Sequence, residues 1–436
     1  MKNTIKTLLF EWQNKHLPTA IKREINLNKY LNNKVRKVIA VTGFRRVGKT
    51  FLLLDLANSL LKKHSKEEVI YLNFEDERID PDTKFLTELL PVIKELYGRA
   101  PKYLLLDEIQ IIPGWSKWVR RIHDSTEIEI IVTGSNSKMS SSEIPTELRG
   151  RFIELHVRPL SFKEFLIFKK IKFVLKELEF NENVRVKINN LLQEYLHFGG
   201  LPEVVLTDES RKTDIVQSYY KTVVGRDIAE HYNIRNDQLL RSLLRLLLNQ
   251  RTFTLSKLTN TLKSMQIAAS KHTIALYMEY IKNSYFSEYL SCFSYKVKDE
   301  NKHPRKVYCV DNSFNKILSL RLTVDNGFYF ENAVAHSLLS KYSEIAYWKS
   351  QKNDYEVDFV VKDNNKVIKL IQVCYDINES KTFEREIRAL INASKELKCD
   401  NLILITPEIN KTEKIKWFDH TAQIKFVSLL QFLLLE

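Results

Sequence analysis

The stretch Gly43-Phe-Arg-Arg-Val-Gly48-Lys49-Thr50 matches GxxxxGK[ST] in full, with an apolar run (38–42) before it and a helix-like run (51–62) after it. This setting predicts a phosphate cradle. Glycines let backbone N–H groups turn toward phosphate oxygens, Lys49 brings a point charge to the β and γ groups, and the Thr50 hydroxyl reaches Mg²⁺. The helix beginning at Phe51 adds the positive end of its dipole. The expected nucleotide-binding set is Gly43, Arg46, Val47, Gly48, Lys49, Thr50, Phe51 and Asp107, with ATP and Mg²⁺ as ligands.

A second apolar run, 103–106, ends in Asp107-Glu108. A buried strand has no packing reason to finish on two acids. Asp107 is expected to hold magnesium with Thr50, and Glu108 to polarise the attacking water as general base. Consecutive strand residues face opposite sides, so their roles divide, and the strand end lets Glu108 turn toward the γ-phosphate. Ser135 and Asn136 follow the run 128–133 and either sense that phosphate or cap a turn. Arg151 is the candidate arginine finger, with Arg149 in reserve. Such a finger, supplied by a neighbouring copy, raises hydrolysis by roughly 10³-fold or more and would imply a homo-oligomer.

These residues need a scaffold in which strand ends converge. Strand-like runs at 38–42, 69–74, 103–106, 128–133 and 152–157 alternate with helix-like stretches such as 51–62 and 115–123. That rhythm predicts an α/β domain over residues 1–160, with a parallel sheet covered on both faces and ligands at its carboxyl edge. Beyond Pro159 the period becomes helical, with runs at 162–170 and 184–196 before the break at 197–203. Residues 161–235 therefore read as a helical lid or a plain connecting bundle.

Residues 236–310 carry a helical stripe of Leu255, Leu258 and Leu262, then a helix over 271–281 capped by Ser270, then β-like runs at 285–290 and 293–297. This order predicts a winged helix-turn-helix. Its second helix would present Lys271, His272 and Thr273 to a groove, with Lys296, Lys298, Lys302, Arg305 and Lys306 in the hairpin beside it. Such a face suits DNA, and winged helices also dock proteins.

Residues 311–436 follow an α-β-β-β-α-β order. Glu331 lies on the apolar stripe of a helix over 328–341, and Glu356 and Asp358 lie in an apolar strand. The spacing resembles the PD-(D/E)xK nuclease core, in which acids gather Mg²⁺ and a lysine attends the attacking hydroxide. A solvated strand face with alternating acids is the competing reading. At the next strand the expected acid is Gln372 and the expected lysine Cys374. Lys369 points to the opposite face, which leaves Lys381 as the near candidate for a migrated lysine. Binding without cutting is the expectation.

The chain has 436 residues, a formal charge of +14 and 44% hydrophobic residues. That balance describes a globular protein of several domains whose positive charge favours a polyanion, nucleic acid above all. Apolar runs stay short of the roughly 18 residues that cross a membrane. The first 18 residues lack the small-residue cleavage site of a secretory signal, so a cytoplasmic protein is expected. Four cysteines lack CxxC spacing and read as reduced packing residues.

Taken together, the motifs at 43–50, 105–110, 133–135, 148–151, 159–165, 199–202, 330–332 and 356–358 resemble those of prokaryotic AAA-type ATPases. These carry a helical and winged-helix middle and a C-terminal restriction-endonuclease-like domain, and are related to the signalling ATPases with numerous domains. The resemblance implies ATP binding and an AAA-type first domain. Gln372 and Cys374 depart from members that keep a Glu-x-Lys pair. The leading expectation is an ATP-hydrolysing switch or motor on nucleic acid, DNA favoured and without sequence preference. The alternative is a signalling ATPase whose distal domains dock protein, and an ATP-regulated nuclease comes third.

Overall fold

The computed structural model describes residues 1–134, 148, 150–174, 176–294, 303–319, 325–350, 355–418 and 420–435. Ser135, Asn136, Arg149, Lys296, Lys298 and Lys302 lie outside them. The chain forms two compact units, Met1–Val157 and Arg158–Glu436.

The first unit is built on β1 (Val38–Gly43), β2 (Val69–Asn73), β3 (Tyr103–Asp107), β4 (Glu129–Thr133) and β5 (Phe152–Val157). They form one five-stranded sheet in the order β2-β3-β4-β1-β5, parallel throughout. β1, β3 and β4 are buried along their whole length, as expected of strands covered on both faces. Local chemistry sets the helix ends. The Asp82 side chain accepts the Lys84 N–H at the start of helix Thr83–Tyr97, and Gly98 closes that helix in the left-handed region. The N-terminal helix Lys2–Asn14 buries Ile5, Leu8, Leu9 and Trp12, and the Trp12 indole donates to the Val69 carbonyl at 2.8 Å.

In the second unit, helices Glu182–Phe198, Glu209–Thr222 and Asp237–Leu248 precede the pair Leu255–Ser264 and Lys271–Asn283. Their N-caps are side-chain oxygens of Thr254 and Ser270, each accepting a backbone N–H. A small sheet follows in the order β6-β8-β7, from Thr252–Phe253, Arg305–Cys309 and Ser287–Leu290. The partner of β7 is thus the later segment 305–309 rather than 293–297. Phe293 instead donates to the Tyr347 carbonyl at 2.6 Å, beside the edge of the next sheet.

That sheet has six strands, ordered β13-β14-β12-β11-β10-β9. They are β9 (Glu344–Lys349), β10 (Glu356–Asp363), β11 (Lys366–Val373), β12 (Leu402–Thr406), β13 (Lys411–Trp417) and β14 (His420–Ser428). β9, β10 and β11 are antiparallel neighbours, whereas β11, β12 and β14 run parallel. Asn364 and Asn365, both with positive φ, form the β10–β11 turn, for which asparagine is well suited. The crossover between β11 and β12 is helix Ser380–Leu397, which buries Ala389, Leu390, Ala393 and Leu397 against the sheet. All four cysteines are buried and free.

Candidate functional site

The carboxyl edge of the first sheet collects the candidate residues. β1 ends at Gly43, where an added Cβ would stand 2.2 Å from the Val157 carbonyl oxygen, so only glycine lets β1 and β5 approach this closely. Arg46 and Gly48 both take positive φ, 67° and 96°, and Gly48 is the N-cap of helix Lys49–Leu60. Left-handed turns leading into a helix N-terminus are the backbone pattern of an anion-binding loop. The Val47 side chain is buried and its carbonyl accepts from Arg23 at 2.8 Å, while Phe51 is exposed. Lys49 is buried with its ammonium folded over the loop, donating to the Gly43 and Phe44 carbonyls at 3.0 and 3.1 Å.

Asp107 ends β3 fully buried. The Tyr71 hydroxyl donates to its Oδ2 at 2.9 Å, the Thr133 hydroxyl donates to Oδ1, and Thr50 also bonds the carboxyl. Burial pushes this carboxyl above its usual range, and Glu108 beside it adds to the shift, while the Thr133, Thr50 and Tyr71 hydroxyls oppose it. Thr50 and Asp107 are hard oxygen donors brought into contact, a set that fits Mg²⁺. Glu108 adopts φ 54°, which turns its side chain off the strand line. Its N–H donates to the Thr133 hydroxyl at 2.9 Å, its Oε1 lies 4.0 Å from the Lys49 ammonium, and its Oε2 accepts from the Gln110 amide.

Thr133, Tyr71 and Gln110 were missed from the sequence. Thr133 follows Val132, the partner of Leu106, so it arrives beside Asp107 by register across β3 and β4. The signal was a polar residue ending an apolar strand, the same signal that exposes Asp107. Tyr71 has none, because aromatics are ordinary in buried strands.

Arg151 stands at the other edge of the sheet. Phe152 pairs with Val38 and Val157 with Gly43, so the length of β1 separates Arg151 from the loop, roughly 16–20 Å at about 3.3 Å per residue. The Arg151 guanidinium is held by Asp124 at 2.8 Å. It cannot serve the phosphates held by its own chain. Ser135, the proposed sensor, falls outside the described residues.

A second polar cluster lies in the second unit and corrects two expectations. Lys306 is not part of an exposed basic face. Its ammonium is buried and meets Asp358 Oδ1 at 2.6 Å, Glu356 Oε1 at 3.0 Å and Glu331 Oε1 at 3.1 Å. It is also the lysine beside the acids, rather than Lys381, which is exposed near the start of helix Ser380–Leu397. Both expectations failed because β7 pairs with 305–309, and this pairing carries Lys306 inward. Gln372 is turned to structural work, accepting the Asp358 N–H at 3.0 Å and donating to Glu386 at 2.6 Å. Burial pushes the Cys374 thiol up to about 12, so it stays neutral.

The parallel sheet, the glycine-turned loop with its lysine, and the acids at the end of β3 define a P-loop ATPase fold of the AAA type. Residues 35–166 match the family described as AAA domain, and residues 189–323 and 326–424 match two domains of unknown function. "Uncharacterized protein MJ1544" of Methanocaldococcus jannaschii is 37% identical over 417 residues, covering 94% of this chain and 90% of that one. An "Uncharacterized protein" of Haemophilus influenzae is 29% identical over 366 residues, covering 83% and 88%. Among solved structures, the Walker-type ATPase PABY2304 of Pyrococcus abyssi aligns with TM-score 0.45 at 15% identity, covering 67% of this chain and 93% of that one. The chain belongs to the family of the Methanocaldococcus protein, prokaryotic AAA-type P-loop ATPases that continue into these two further domains.

Proposed function

We propose that this chain hydrolyses ATP with Mg²⁺ and uses the cycle as a switch or motor on nucleic acid, DNA favoured. The observation that carries the ATPase reading is the 4.0 Å approach of Lys49 to Glu108 beside a buried Asp107, which puts a phosphate-binding cation and a general base at one sheet edge. In this reading Gly43, Arg46, Val47, Gly48 and Phe51 shape the cradle, and Lys49 binds the β and γ phosphates. Thr50 and Asp107 hold Mg²⁺, which neutralises phosphate charge. Glu108 takes the proton from water, and Ser135 senses the γ-phosphate. Arg151, at the far edge of its own sheet, would act only on a second copy, so the finger reading requires a homo-oligomer.

The second unit reads as a helical lid (161–235), a winged helix (236–310) and a restriction-endonuclease-like domain (311–436). Nucleic acid is favoured by the +14 charge, since neutralising phosphates releases counterions. The withdrawal of Lys306 from the surface favours the second reading, in which the distal domains dock a protein and the ATPase signals. No helix among the described residues is long and apolar enough to cross a membrane, and a cytoplasmic setting agrees with the reduced cysteines. The test is the ATPase rate with and without duplex DNA, single-stranded DNA and RNA. Stimulation that falls with salt supports nucleic acid. Rates indifferent to all three, with no salt-sensitive binding, would leave protein docking.

A further inference from the structure

The acids of the C-terminal domain have their charge met from the neighbouring three-stranded sheet. On β8, Lys306 and Tyr308 share a face, two residues apart. Both reach Glu331, whose Oε1 accepts from the Lys306 ammonium at 3.1 Å and from the Tyr308 hydroxyl at 2.8 Å. Arg251, just before β6, approaches Glu331 Oε2 at 3.5 Å and pairs with Asp325 at 3.0 Å. Asp358 gives Oδ1 to Lys306 and accepts the Val373 N–H on Oδ2 at 2.9 Å. The Val373 N–H apart, the donors to these carboxylates come from residues 251–308, outside the stretch that carries the acids.

Two features separate this arrangement from a hydrolytic centre. An ammonium has three N–H donors, and Glu331, Glu356 and Asp358 can take all of them, leaving none for a phosphate or a hydroxide. Access is also narrow: side-chain exposure is 4% for Lys306, 9% for Glu331 and 11% for Asp358, and only Glu356, at 35%, reaches toward solvent. Burial alone would make this lysine shed its proton, but Asp358, Glu331 and Glu356 outweigh it and hold the ammonium charged. Removing one partner of such a set leaves uncompensated buried charge.

We propose that Lys306 is a built-in cation whose ammonium takes the place a divalent metal would hold among Glu331, Glu356 and Asp358, clamping the three-stranded sheet onto the six-stranded one. The comparison with a metal rests on the nuclease-like reading of residues 311–436, while the clamp rests on the contacts alone. Gln372 and Cys374 then need supply no charge, because the chain has filled the site from elsewhere.

The test uses the nucleotide-free full-length protein, with Mn²⁺ as the probe. Binding is read by electron paramagnetic resonance and stability by thermal unfolding. Wild type is expected to show no Mn²⁺ site that disappears in Asp358→Asn, and no metal-dependent DNA cleavage. Lys306→Ala should unfold at lower temperature and recover part of the loss in millimolar Mn²⁺. That recovery should vanish in Lys306→Ala/Asp358→Asn, and Lys306→Arg should keep the clamp without metal. A wild-type Mn²⁺ site or nuclease activity that depends on Asp358 would overturn the proposal, even if Lys306→Ala fails to fold. A folded Lys306→Ala that Mn²⁺ neither binds nor stabilises would overturn the metal equivalence. Wild-type stability in Lys306→Ala would overturn the clamp. None of these readouts depends on ATP hydrolysis, so failure here is distinct from failure of the ATPase reading.

Discussion

The Lys49 ammonium lies 4.0 Å from Glu108 Oε1 while donating to two loop carbonyls, so the cation that should meet phosphate also faces the carboxylate that should meet water. The two are separable by mutation. Lys49→Ala is expected to lose nucleotide binding, whereas Glu108→Gln should bind ATP and hydrolyse it about 10²- to 10⁴-fold more slowly. Equilibrium binding of a fluorescent nucleotide and single-turnover phosphate release distinguish them. Normal turnover in Glu108→Gln would refute the base assignment.

Thr133 ties Asp107 to Glu108, donating its hydroxyl to the first and accepting the N–H of the second at 2.9 Å. Thr133→Val keeps the shape but strands a buried acceptor and a donor, which should cost about 1–3 kcal/mol of stability. It should also raise the Mg²⁺ concentration needed for half-maximal ATPase rate, and Thr133→Ser should restore both. Unchanged magnesium dependence in the valine variant would make Thr133 a packing residue.

Arg151 is held by Asp124 at the edge opposite the phosphate loop. If it serves a neighbour, Arg151→Ala mixed with Glu108→Gln should regain activity, since each supplies what the other lacks. Activity is expected to peak at intermediate mixing ratios. Flat activity across all ratios would make Arg151 structural.

Gly199 sits at φ 70° with the Asp311 carboxylate against it, and an added Cβ would fall 1.8 Å from Asp311 Oδ1. With ψ −159° this is backbone that almost only glycine adopts, so alanine there meets both a backbone penalty of roughly 1–3 kcal/mol and a clash with a buried acid. Gly199→Ala should lower the unfolding free energy of the second unit, read from urea titration, by more than the backbone penalty alone. Removing the acid as well, in Gly199→Ala/Asp311→Ala, should cost less than the sum of the single changes.

Asp311 itself predicts a pH dependence. Burial pushes its carboxyl up to about 6, against the donors Ser313, Gly200 and Leu201 that favour the charged form. A folded-state value above the unfolded one, about 3.9, means the folded chain binds the extra proton. This contribution is full below the unfolded value and is lost as pH rises through the folded one. Urea unfolding from about pH 4 to pH 7 should therefore show a decline in stability that is shallower in Asp311→Asn. Equal slopes would place the titration elsewhere.

Chemistry written in adjacent residues could be read without coordinates. Gly43 to Thr50 and Asp107-Glu108 are short segments whose backbone demands and charge sit side by side, and strand-helix alternation was enough to predict a parallel sheet. The C-terminal order was legible for the same reason as far as β12, because hydrophobic period is local, whereas β13, β14 and the helix Leu429–Leu435 were not read. What depended on meetings between distant residues was not legible. Thr133 reaches Asp107 through strand register, Arg151 is placed by the length of β1, and Lys306 looked like one more surface lysine in a basic run. Its ammonium is buried because β7 pairs with 305–309 and the Glu331, Glu356 and Asp358 carboxylates wait on the next sheet. A charge declares its type in the sequence, but whether it faces water or an opposite charge is decided by which strands pair, a long-range choice made by the packing of the whole unit.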